Sequence, residues 1–108
     1  MEIKKYNEYL DNSYSNIKLM IQKLESDCAN KSDLDIISNH ESYEKIVKNG
    51  RKSIPFILEN IDNCHVIWFR ALNEITGQYP EEKLYEKGIY DTSEIRKIWK
   101  KWLIENGY

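Results

Sequence analysis

The stretch that decides the fold is Ser53-Ile-Pro-Phe-Ile-Leu-Glu-Asn-Ile61, followed after a short polar break by Trp68-Phe-Arg-Ala-Leu-Asn-Glu-Ile-Thr-Gly77. Ile54, Ile57, Leu58 and Ile61 recur at i, i+3, i+4 and i+7, and Trp68, Ala71, Leu72 and Ile75 repeat that spacing. The period places each set on one face of an α-helix. Ser53 is the candidate cap of the first helix, and Pro55 fits because first-turn amides need no intrahelical partner. Asp62-Asn63 ends that helix and Gly77 closes the second. Neither helix can bury its stripe alone, so the pair is expected to stack on each other and on further helices.

Helical periodicity extends in both directions. Ile3, Tyr6, Leu10, Tyr14, Ile17, Met20, Ile21, Leu24 and Cys28 are separated by steps of one, three or four, so residues 1–30 read as a long helix. The weak helix formers Asp11-Asn12-Ser13 are its candidate bend. Ala29 to Asp33 reads as a break, with Ser32 the candidate cap of a short turn through Leu34, Ile36 and Ile37. Ser38 and Glu41 have the spacing of a capping box, opening a helix through Tyr43, Ile46 and Val47 that stops at Gly50. Residues 78–91 read as an irregular acidic connection, punctuated by Pro80 and Gly88. Asp91 and Glu94 then open a last helix with Ile95, Ile98, Trp99, Trp102 and Leu103 on one arc. Trp68, Leu72, Trp99 and Trp102 are expected in one core cluster. No strand-like alternation occurs, and the reading is a single all-α domain over residues 1–108.

Composition narrows the function. A chain of 108 residues with 31% charged and 41% hydrophobic side chains has room for one modest core. The net charge of −2 argues against a dedicated non-specific nucleic-acid binder. No apolar run reaches the roughly 18–20 residues that span a bilayer, and the first residues lack the apolar core of a signal peptide, so the cytoplasm is the expected compartment. Cys28, Cys64, His40 and His65 lack the paired spacing of a zinc site. No metal, no cofactor and no catalytic residue are expected.

His40 and Tyr43, Ile46-Val47, Gly50, Pro55, Trp68-Phe69, Ala71-Leu72, Ile75-Thr76-Gly77, Pro80, Gly88, Trp99, Trp102 and Gly107-Tyr108 form one ordered pattern. In that order they resemble a family of small uncharacterised bacterial helical proteins, departing from it at Glu41, where the family has proline. The glycine–proline helix followed by an alanine–leucine helix ending at threonine–glycine is similar to a HEAT-type repeat. The resemblance implies HEAT-like stacked helix pairs over residues 38–108, and it supplies no chemistry.

Three features compete as sites. His40, at a helix start, reads as a packing residue before it reads as a general base. Glu81, Glu82, Glu86 and Asp91 fit no calcium loop and read as a solvated acidic surface for a basic partner. Arg96, Lys97, Lys100 and Lys101 form a basic face on the last helix, the alternative locus for a nucleic-acid-contacting regulator. Eight tyrosines and three tryptophans exceed the needs of a small core, and such rings are common interface anchors. Tyr6, Tyr9, Tyr79, Tyr85, Tyr90 and Tyr108 are the interface candidates. The reading is a protein-binding module of inhibitor, antitoxin, immunity or phage-encoded neutraliser type, binding through Tyr79, Glu81, Glu82, Tyr85, Glu86 and Tyr108.

Overall fold

The computed structural model describes residues 16–108, and every regular element among them is helical. Helix α1 runs over 16–27, α2 over Leu34–Ile37 and α3 over Glu41–Asn49. A 3-10 turn, Gly50–Ser53, leads directly into α4, Ile54–Glu59. Helices α5, Ile67–Thr76, α6, Glu82–Glu86, and α7, Thr92–Glu105, complete the chain. The periodicity through Ile3, Tyr6, Leu10 and Tyr14, the bend at Asp11-Asn12-Ser13 and the candidate Tyr9 lie outside the described residues.

The apolar stripes fall where their spacing predicts. Ile54, Ile57 and Ile61 are buried and Leu58 is half-buried. Trp68, Ala71 and Leu72 are fully buried and Ile75 packs at the margin. Ile21, Leu24 and Cys28 carry α1 into the same core, and Trp99 and Leu103 carry α7. Burying each large aliphatic or aromatic side chain contributes about 1.5–3 kcal/mol, against at most about 1 kcal/mol for an exposed ion pair. Packing therefore decides the fold. Of the expected cluster, Trp102 stays half-buried, meeting Trp99 edge-on at 5.6 Å between ring centroids. Helix α5 packs on α3, and both α4 and α5 pack on the 3-10 turn.

The caps differ from the expectation at three serines, each for a local reason. Asp33, not Ser32, caps α2, its carboxylate accepting from the Asp35 amide at 3.0 Å and the Ile36 amide at 3.4 Å. Ser38 closes α2 in the helical region, its hydroxyl donating to the Asp35 carbonyl, so it cannot open α3. His40 has the extended backbone that an N-cap needs, and its Nδ1 accepts from the Ser42 amide at 3.0 Å. Glu41 turns instead to Lys45 at 2.8 Å. Ser53 is fully buried in helical geometry, donating to the Ile46 carbonyl at 2.9 Å and accepting from Asn49 at 3.1 Å. That hydroxyl satisfies a carbonyl in the last turn of α3 and joins α3 to α4. Gly50 does make the expected stop, with φ at +67°.

One carboxylate ties α1 to the centre. Glu25 Oε1 accepts from the Trp68 indole N–H at 2.6 Å and from the His65 amide at 2.8 Å. Glu25→Ala strands both donors and should cost about 2–4 kcal/mol, since hydrogen bonds to charged groups contribute about 1.5–3 kcal/mol each. Thermal melts should register this as a fall of roughly 10–20 °C. Glu59→Ala removes only an exposed pair with Lys18 at 3.7 Å and should stay within about 0.5 kcal/mol of wild type. Coincident melts for the two variants would contradict the role given to Glu25.

Candidate functional site

The acidic tyrosine surface begins where α5 ends. Gly77 takes the left-handed conformation, φ +68° and ψ +16°, and its amide closes on the Asn73 carbonyl at 2.8 Å. The Asn73 side chain then holds the departing chain, donating to the Gln78 carbonyl at 2.8 Å and to Glu81 Oε1 at 2.7 Å. Glu81 is only 4% exposed, and its Oε2 has no hydrogen-bond partner among the described residues. Its expected place on the partner-facing surface is therefore corrected: Glu81 is an interior anchor for the segment.

Beyond that anchor the chain turns outward. Contrary to the irregular reading, residues Glu82–Glu86 form the short helix α6, none of whose side chains is buried. It ends in a tight turn in which Gly88 donates to the Tyr85 carbonyl and Ile89 to the Leu84 carbonyl, at 2.9 and 2.8 Å. The turn folds Tyr90 back onto Tyr85, with ring centroids 5.3 Å apart and planes within 17°. Tyr79, Tyr85 and Tyr90 remain 52%, 39% and 70% exposed. Burial nevertheless raises the Tyr85 phenol, with Glu81 and Tyr90 adding to the effect. Glu82 and Glu86 are exposed and form no ion pair among the described residues, while Asp91 caps α7 through the Ser93 amide at 2.9 Å. Lys83 and Lys87 share the segment as exposed cations. Tyr108 is drawn away: half-buried, it packs on the core and lines a concavity with Trp102.

The basic face of α7 is largely committed within the protein. Arg96 donates to the Cys64 carbonyl at 2.7 Å and the Ile61 carbonyl at 3.4 Å, and lies over the Phe69 ring at 5.6 Å. Lys97 pairs with Glu94 at 3.3 Å, Lys100 with Asp62 at 3.2 Å and Lys101 with Glu105 at 3.9 Å. These carboxylates interrupt the field that the four cations would otherwise present to a phosphate backbone.

The titratable groups with chemical potential are used for structure. With Nδ1 accepting the Ser42 amide, the neutral His40 ring carries its proton on Nε2 and donates it to Asp27 at 2.9 Å. That bond holds the Asp27 carboxyl below its usual range. His65 repeats the arrangement, accepting the Ile67 amide on Nδ1 at 3.0 Å and donating from Nε2 to the Lys31 carbonyl at 3.0 Å. His40, the N-cap of α3, thus straps the end of α1 to α3, and His65, just before α5, straps the α1–α2 connection to α5. Sequence reasoning missed both, because hydroxyl and carboxylate caps dominate the known preferences. Tyr43 donates to Glu74, and Arg70 pairs with Asp35 at 2.9 Å, joining α3 and α2 to α5. Cys28 and Cys64 are buried free thiols.

Among the described residues no three His, Cys, Asp or Glu side chains come together to hold a metal ion. Nor is any described helix long and apolar enough to cross a membrane. Comparison with protein-family models, with curated proteins and with solved structures gave no match.

Burial pushes the Cys64 thiol up to about 12, with Arg96 opposing, and raises the Tyr43 phenol, aided by Glu74. In the unfolded chain these groups titrate near their ordinary values of 9.0 and 10.0. The folded state therefore holds its protons longer, and the stability so contributed is complete below about pH 9 and lost as pH climbs towards about 12. Urea midpoints should be level between about pH 7 and 8.5 and fall steadily above about pH 9.5. A midpoint unchanged at about pH 11 would show that neither group is buried as described.

Proposed function

We propose that this protein is a small protein-binding module that neutralises a basic partner protein, as an inhibitor, antitoxin, immunity protein or phage-encoded neutraliser does. Its working compartment in this reading is a bacterial cytoplasm, and its second half is a HEAT-like stack used as a scaffold. The observation that carries the reading is the stacked Tyr85–Tyr90 pair, held outward beside the exposed carboxylates of Glu82 and Glu86, which form no ion pair among the described residues.

Two fixed rings lose little entropy on binding and offer broad faces to Lys or Arg side chains. The flanking carboxylates add long-range attraction for a positive patch. Support comes also from the rigid base of the segment, where Asn73 and the interior Glu81 set its path. Tyr79, Glu82, Tyr85, Glu86 and Tyr90 are the proposed contact residues. The nucleic-acid alternative, through Arg96, Lys97, Lys100 and Lys101, draws less support because those cations are engaged internally.

A pull-down from the native host, followed by binding kinetics with the captured protein, tests the reading. The paired substitution Glu82→Lys with Glu86→Lys should slow association by roughly ten-fold or more at low salt and flatten its salt dependence. Tyr90→Ala should instead speed dissociation. Lys97→Gln with Lys100→Gln should leave binding intact. Partner retention at wild-type rates in the first variant would overturn the reading, as would loss of binding in the last.

A further inference from the structure

We propose that the concavity between the 3-10 turn and the end of α7, lined by Arg51, Thr76, Gln78, Trp102, Asn106 and Tyr108, binds a small oxyanion. The ligand class is a carboxylate or a phosphate monoester, gripped by the Arg51 guanidinium.

The chain has three arginines, and two are spoken for. Arg70 meets Asp35, and Arg96 meets the carbonyls of Ile61 and Cys64. Arg51, on the exposed face of the 3-10 turn, has no ion pair or hydrogen-bond acceptor among the described residues. No acidic side chain lines the concavity that Arg51 borders, as is also true of the groove beside Lys45, whereas the groove beside α1 contains Glu25 and Glu59, and the one beside α3 contains Glu44 and Glu74. An anion would meet no acidic side chain there.

The remaining lining groups are donor-rich. The side-chain carboxamide of Gln78 has no hydrogen-bond partner among the described residues, and neither has the Tyr108 hydroxyl. Asn106 spends one N–H on the Trp102 carbonyl at 2.7 Å, leaving the second. Thr76 is committed, donating to the Leu72 carbonyl and accepting from the Gln78 amide, so it fixes the wall and contributes no donor. The half-buried rings of Trp102 and Tyr108 supply apolar flanks, which strengthen a charge-assisted bond by thinning the solvent around it. A guanidinium presents its N–H groups as a planar fork that matches two oxygens of a carboxylate or phosphate. The volume, about 330 Å³, suits a small anion and its immediate substituent. This inference stands apart from the protein-binding surface, since it shares none of the proposed contact residues.

The test is an NMR titration at constant ionic strength, once with inorganic phosphate and once with acetate. It follows the side-chain N–H signals of Gln78, Asn106, Trp102 and Arg51. Saturable shifts confined to these groups are expected, with a Kd on the order of 1–10 mM for an isolated anion. Arg51→Gln should weaken binding about ten-fold, while Lys52→Gln, which loses the same charge one residue outside the concavity, should leave it within about two-fold. Saturation by phosphate alone assigns phosphate monoesters, by acetate alone carboxylates, and by both the whole oxyanion class. Absence of saturable shifts with either anion would overturn the proposal, as would equal weakening by the two substitutions or shifts spread over the lysine-bearing helices.

Discussion

The indole nitrogen of Trp68 is the constraint on which the rest of the structure depends. Trp68 is fully buried, and its ring carries one polar atom that water cannot reach. Leaving such a donor unpaired costs about 1–3 kcal/mol, so an acceptor supplied from elsewhere in the chain stabilises the site. Glu25 supplies it from α1, and the same carboxylate oxygen takes the His65 amide just before α5. The ring's face lies against Tyr43 of α3, at 6.4 Å between centroids, and Tyr43 in turn donates to Glu74 on α5. Two residues after Trp68, Arg70 reaches Asp35 on α2. A single buried ring and its neighbours thereby recruit α1, α2 and α3 onto α5.

That anchoring fixes the candidate surface. Because α5 is held on several sides, Asn73 on its last turns is a fixed point, and its amide sets the course of the chain through Gln78 and Glu81. The stacked tyrosines of the α6 segment are displayed from this base rather than from a free loop. The protein thus presents two chemically different surfaces. One carries the stacked tyrosines with the exposed Glu82 and Glu86 and the lysines between and beside them. The other is a concavity around Arg51 lined by no acidic side chain.

The helices were legible in the sequence wherever burial imposes a period. Ile54, Ile57 and Ile61, and Trp68, Ala71 and Leu72, are buried as their spacing predicts, because each helix has only one face to give to the core. The caps were not legible, because a cap depends on where the backbone leaves the helical region. Ser38 and His40 are two residues apart, and the sequence does not distinguish which of them takes the extended conformation. The candidate surface was half legible. The exposed rings of Tyr79, Tyr85 and Tyr90 follow from tyrosines that no stripe requires. Nothing local separates Glu81 from Glu82, however, and only the reach of Asn73 from the previous helix puts the first inside. Helix α6 was missed for a related reason: with no buried face it leaves no apolar period to read. Trp99 and Trp102 share an arc in the sequence, yet only Trp99 is fully enclosed.

Hydrogen exchange of the three indole N–H protons, resolved by NMR, tests the central claim most directly. Trp68 is buried and bonded to Glu25, whereas Trp102 is half-buried and lies at the margin of the core. The Trp68 proton should exchange only through global unfolding, at a free energy matching that from urea denaturation, while the Trp102 proton exchanges through local openings. Exchange of the Trp68 proton as fast as that of Trp102 would contradict the account, because α1 would then not be held to α5 by this bond.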